Sequence, residues 1–124
     1  MTRVVIDEDC GNSPKNLFVQ EFTIALVKCD LKSILDRVTD DVRWIVPGEK
    51  VIQGKDRFTE ALEQEGKAVE LSIRHIATHG KTGAVDGMIK TGNGKTLAFC
   101  NVYEFSNAKG VSIKEIITYR VEVG

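Results

Sequence analysis

At 124 residues, with 42% hydrophobic and 28% charged residues, the chain has the size and balance of one ordinary globular domain spanning residues 1–124. That is long enough for a real core without disulfides or metals. A net charge of -1 and an aromatic share of only 6% speak against nucleic acid, an anionic membrane surface and a base-stacking platform. The three cysteines, Cys10, Cys29 and Cys100, are odd in number and lack CxxC spacing. Free thiols in a reducing compartment are expected. No secretory leader and no membrane span is legible, which makes the cytoplasm the expected location.

Val4, Val5 and Ile6 read as a short strand or as a segment draped over the core. Ser13-Pro14 is a helix start, a cap followed by proline at the first helical position. Phe18, Phe22, Ala25 and Cys29 then recur at helical spacing, widened by Leu17 and Leu26. Asp30 caps a second short helix whose buried face is Leu31, Ile34, Leu35 and Val38. Residues 42–46, VRWIV, form a short strand stopped by Pro47-Gly48, and Val51-Ile52 suggests another. A third helix runs from Lys55 to Gln64 with Phe58, Ala61 and Leu62 inward, and Gly66 ends it.

Beyond Gly66 the apolar period changes from helical spacing to alternation. Four strands are predicted, at about 68–79, 84–91, 95–105 and 111–123, separated by turns at Gly80–Gly83, Gly92–Gly94 and Ser106–Gly110. Short turns make neighbouring strands antiparallel. Helices first and sheet second define an α+β class: a cone-shaped, curved antiparallel sheet of four long strands plus short ones, wrapped around three N-terminal helices.

The third long strand carries Leu97, Phe99, Asn101, Tyr103 and Phe105 on one face, and Ala98, Cys100, Val102 and Glu104 on the other. Both faces are largely apolar, and three helices cover only one. Either a second copy covers the outer face, making a homodimer, or that face stays open and tolerates small residues. On the last strand, Glu115 is the lone charge among Ile113, Ile117, Tyr119, Val121 and Val123. A symmetric final turn places it opposite Asn101, with Cβ atoms about 5 Å apart. The Gly92–Gly94 turn places Val85, Gly87 and Ile89 beside Asn101, Phe99 and Leu97, with Gly87 leaving space.

An apolar face with an Asn–Glu pair, flanked by Tyr103 and Tyr119, has the composition of a small-molecule site. Desolvation there would raise the Glu115 pKa and suit it to acid–base work, with Asn101 beside it. Alternatively Glu115 pairs with Arg43, Arg74 or Arg120 and only ties the sheet together. Trp44 either lines the pocket mouth or belongs to the core. His75 and His79 lie about 13 Å apart along their strand, too far for one metal, and no metal site is expected. Asp40-Asp41 reads as a solvated turn at a helix end. Gly92-Asn93-Gly94 is a hairpin turn and not a phosphate loop.

DLKSILDRVTDDVRWIVPG on the second helix and first strand, the GKDRF helix start and the FCNVYEF strand resemble the nuclear transport factor 2-like superfamily, in its SnoaL-like and ketosteroid-isomerase-like branch. The resemblance spans about Leu17 to Val121. It implies a cone-shaped barrel, a deep apolar pocket and dimerisation through the sheet, in a group of isomerases, cyclases, dehydratases, epoxide hydrolases and non-catalytic binding modules. Ketosteroid isomerases carry a general-base Asp just before the first-strand proline, where this chain has Val46. Their oxyanion-binding Tyr falls near Phe22 or Thr23. Their second oxyanion donor falls on Asn101, whose amide can still donate. The Asp that SnoaL-type cyclases place after a last-strand aromatic is here Arg120, after Tyr119.

Two functions stand as expectations. One is a pocket for a small apolar or amphipathic molecule with proton-transfer chemistry, using Glu115 and Asn101, with Trp44, Phe99, Tyr103, Tyr119, Phe22 and Gly87 around the substrate. The other is a non-catalytic binding or dimeric assembly module. Neither implies a cofactor.

Overall fold

Ser13 opens the first helix as the sequence predicts: its Oγ accepts a hydrogen bond from the Asn16 N–H at 3.2 Å, and Pro14 follows it. The computed structural model describes residues 2–7, 13–107 and 112–123, so Cys10 and most of the final turn lie outside the described residues. A short strand β1 (Arg3–Ile6) precedes helix α1 (Pro14–Lys28). The helix buries Val19, Phe22, Thr23, Ala25 and Val27, while Leu17, expected inside, is 46% exposed. Cys29 leaves the helix in the left-handed region at φ 54° and serves as its C-cap while still packing against the core.

Helix α2 (Leu31–Leu35) is capped by Asp30, which accepts from the Ser33 N–H at 3.4 Å. Val38 and the Asp40-Asp41 pair belong not to a helix or turn but to strand β2 (Val38–Val46). Pro47-Gly48 turns the chain into β3 (Lys50–Gln53), and α3 (Lys55–Glu65) buries Phe58, Ala61 and Leu62 as expected. The four predicted long strands follow as β4 (Glu70–His79), β5 (Thr82–Lys90), β6 (Thr96–Phe105) and β7 (Ile113–Val123).

The sheet is curved and unclosed, in the order β1-β4-β5-β6-β7-β2-β3. It is mixed rather than wholly antiparallel: β1 runs parallel to β4, and β2 parallel to β7. Both parallel pairs join strands separated by helices or by other strands, so no tight turn dictates their direction. The β5–β6 register is the expected one, with Val85 opposite Asn101, Gly87 opposite Phe99 and Ile89 opposite Leu97.

The β6–β7 register is not. Phe105 faces Ile113 and Glu104 faces Glu115, so one step along β6 spans two along β7. Lys114 is the extra residue of a β-bulge. A one-residue slip turns every later side chain to the other face. Ile116 and Thr118 therefore point inward, with Arg120 beyond them lining the same side. Glu115, Ile117, Tyr119 and Val121 point outward. The inner face of the sheet and the helices enclose Phe22, Phe58, Leu71, Ile73, Tyr103, Phe105, Ile113 and Ile116, all fully buried. Phe22 meets Tyr103 edge-on at 5.3 Å between ring centres, and Trp44 meets Phe58 at 5.8 Å.

Candidate functional site

A cavity of about 430 Å³ opens between the inner face of the sheet and the helices. Its walls are Leu26 and Val27 of α1, Trp44 of β2, Phe58 and Leu62 of α3, Ile89 of β5, Leu97 and Phe99 of β6, and Ile116 of β7. Strand alternation brings Phe99 and Asn101 to the same side of β6, and the bulge brings Thr118 and Arg120 to it on β7. Asn101 and Thr118 are buried and stand directly opposite each other across the ladder. Glu65, Gly66, Lys67, Thr91, Asn93, Lys95 and Arg120 complete the lining toward solvent.

Two polar arrangements define the site. Behind the wall, a directed chain of hydrogen bonds runs from the sheet into α1. Asn101 Nδ2 donates to the Tyr103 hydroxyl at 3.0 Å. The Tyr103 and Thr23 hydroxyls are 2.6 Å apart, and Thr23 donates to the Val19 carbonyl at 2.8 Å. Burial pushes the Tyr103 pKa up to about 12, against the pull of its bonds to Thr23 and Asn101, so the phenol stays neutral. On the wall itself, Trp44 Nε1 donates to Thr118 Oγ1 at 3.0 Å.

At the mouth, Arg120 grips two carboxylates. Its Nε and Nη2 reach Glu49 at 3.2 and 2.9 Å, and its Nη1 reaches Glu65 at 2.7 Å. Lys50 also binds Glu65 at 2.8 Å and lies 4.8 Å above the Trp44 ring. The Arg120 hydrogen bond holds the Glu49 carboxyl below its ordinary range. Burial alone would raise the Glu65 pKa, but the bonds from Arg120 and Lys50 outweigh it and lower it. Arg120 is in turn held more firmly protonated, first by its bond to Glu49. These four side chains form a neutral, closed network.

Of the residues singled out in the sequence, the structure brings Trp44, Phe99 and Asn101 together on the cavity wall. Phe22 and Tyr103 lie one layer behind it, buried in the core. Gly87 leaves no space for a ligand: a Cβ there would come within 1.9 Å of the Ser72 carbonyl oxygen on the neighbouring strand β4. Glu115 and Tyr119 sit on the outer face, turned there by the Lys114 bulge, and Glu115 faces Glu104 rather than Asn101. His75 is likewise exposed, bonding Asp86 at 2.9 Å through Nδ1. Sequence reasoning passed over Thr118, Arg120 and Glu65 as site residues. Thr118 and Arg120 share an alternation class on β7, and only the bulge assigns that class to the inner face.

Three helices packed on a curved, unclosed sheet around a one-sided apolar cavity define the nuclear transport factor 2-like class of α+β folds. A protein of that type from Burkholderia xenovorans superposes with a TM-score of 0.77 at 18% identity, covering 89% of this chain and 84% of that one. A candidate SnoaL-like polyketide cyclase from Shewanella putrefaciens superposes at 0.74, with 12% identity and 90% and 83% coverage. The epoxide hydrolase/cyclase-like enzyme SalBIII, from polyether salinomycin biosynthesis, superposes at 0.72 with 16% identity and 86% and 90% coverage. At these identities the likeness is one of fold. The family profile of the SnoaL-like domain matches residues 19–113, and the chain belongs to that family. No curated protein matches the chain.

Proposed function

We propose that this SnoaL-like domain binds a small apolar or amphipathic molecule in the cavity beside Trp44. The observation that carries the reading is the cavity's composition: about 430 Å³ of space, apolar side chains from α1, α3 and the sheet, and two buried polar side chains converging on it. Binding without proton transfer is the reading favoured by the ionisable groups. Glu115 points away from the cavity, and Glu65, at the mouth, is held ionised and neutralised by Arg120 and Lys50. A general base needs a proton affinity near the working pH, which the bonds from Arg120 and Lys50 deny to Glu65.

The fold neighbours support a second reading, an isomerase- or cyclase-type proton-transfer enzyme. On that reading Glu65 would have to be released from its clamp by the substrate.

Trp44 is the chain's single tryptophan and lines the cavity, so its emission reports occupancy. Titration with a bicyclic hydrocarbon-like probe should give a saturable change that Ile89→Phe abolishes by filling the space. No saturable change at any soluble concentration would overturn the reading.

We also propose that two copies pair through the outer sheet face. There Tyr119 is 50% and Val121 62% exposed, beside half-buried Cys100, Val102 and Ile117. Light scattering at micromolar concentration tests this directly, and a monomer mass would refute it. Both described cysteines, Cys29 and Cys100, are free, which accords with a reducing cytoplasmic location.

A further inference from the structure

Among the described residues, one buried side-chain polar atom has no hydrogen-bond partner within the protein: Asn101 Oδ1. Asn101 is only 6% exposed, and it lines the cavity. Buried polar groups are nearly always paired, so an orphan on a cavity wall needs a reason.

The orientation of the amide follows from the chain behind it. Thr23 gives its one hydroxyl proton to the Val19 carbonyl. Tyr103 must then give its own proton to Thr23, and its oxygen can only accept from Asn101. One Asn101 N–H is thereby committed to the core, and the carbonyl oxygen is left as an unpaired acceptor.

Directly opposite, Thr118 accepts from Trp44 Nε1 and retains its own proton to donate. The wall thus offers one acceptor and one donor on facing residues, with Cβ atoms about 5 Å apart.

We propose that the bound molecule is an apolar alcohol whose hydroxyl sits at the buried end, donating to Asn101 Oδ1 and accepting from the Thr118 hydroxyl. The proposal rests on the ligand-binding reading above and names the ligand class. A ketone of the same shape takes the Thr118 proton but leaves Asn101 Oδ1 unanswered. A carboxylate sets negative charge against that oxygen.

The test compares 2-decalol, 2-decalone and decalin by titration of Trp44 emission. The alcohol should bind about tenfold more tightly than the ketone, since leaving a buried acceptor unpaired is costly. Asn101→Leu should bring alcohol and ketone to within about twofold of each other. Thr118→Val should weaken both while keeping the alcohol ahead. A ketone bound as tightly as the alcohol by the unaltered protein would overturn the proposal and leave the pocket reading standing; this comparison needs no variant. An alcohol preference that survives in Asn101→Leu would also overturn it. Failure of all three probes to bind would remove the pocket reading itself, and the alcohol with it.

Discussion

Asn101 on β6 and Thr118 on β7 face each other across an antiparallel ladder, and both side chains are buried on the cavity wall. Each is fastened by an aromatic residue: Asn101 by the Tyr103 hydroxyl behind the wall, Thr118 by the Trp44 indole beside it on the wall. The aromatic partners hold the orientation of both side chains before any ligand arrives. Such preorganisation lowers the ordering cost of binding.

The Tyr103 hydroxyl should be worth more than its packing. Tyr103→Phe leaves the Asn101 N–H without its acceptor and removes the donor to Thr23. Chemical denaturation should show a loss of about 1–3 kcal/mol. A double-mutant cycle with Thr23→Val should show coupling of about 1 kcal/mol, because the two substitutions break the same bond. Additive losses would mean that the Thr23–Tyr103 contact contributes nothing specific.

The mouth network should make stability depend on acid. Folding lowers the proton affinity of Glu49 and Glu65, chiefly through Arg120 for the first and through Arg120 and Lys50 for the second. The stability they lend is complete above the ordinary carboxyl value of 4.5 and is lost as pH falls through their folded values. Arg120→Gln should cost about 1–2 kcal/mol at neutral pH, discounted for partial exposure, and should flatten the decline on the acid side of that value. Denaturant titrations across the acid range would show it, and an unchanged slope would contradict the network's role.

Gly87 and Gly92 should respond very unequally to alanine. At Gly87 a Cβ would strike the Ser72 backbone, so Gly87→Ala should destabilise by about 3 kcal/mol or more. At Gly92 a Cβ meets nothing within 4 Å, and the change should stay within about 0.5 kcal/mol. Thermal melts of the two variants decide it. A silent Gly87→Ala would place β4 further from β5 than the structure has it.

Much of the fold is legible in the sequence because local chemistry decides it. Ser13-Pro14, Asp30 and Gly66 mark helix ends, and the short Gly92–Gly94 turn sets the β5–β6 register correctly. The directions of β1 and β2 are not legible, since their partners are reached only after helices or other strands. The cavity wall is only half legible for a related reason. Phe99 and Asn101 follow from strand alternation alone, whereas Glu115, Tyr119, Thr118 and Arg120 depend on a bulge at Lys114. No residue type announces that bulge, and its effect on facing is all-or-none.

The bulge yields a prediction of its own. Glu115 stands on the outer face between Glu104 of β6 and Arg43 of β2, one like and one opposite charge, and Glu104 also pairs with Lys114. Glu115→Gln should therefore change stability by no more than about 0.5 kcal/mol and leave probe affinity at Trp44 unchanged. If it instead weakened binding severalfold, β7 would have to be turned the other way.

The most direct test of the account is where a bound molecule sits. Isotope-filtered NMR on labelled protein with 2-decalol should give contacts from the ligand to Trp44, Phe99, Ile116 and Thr118, which share the cavity wall. Contacts confined to Tyr119, Val121 and their outer-face neighbours, or none at all, would contradict it.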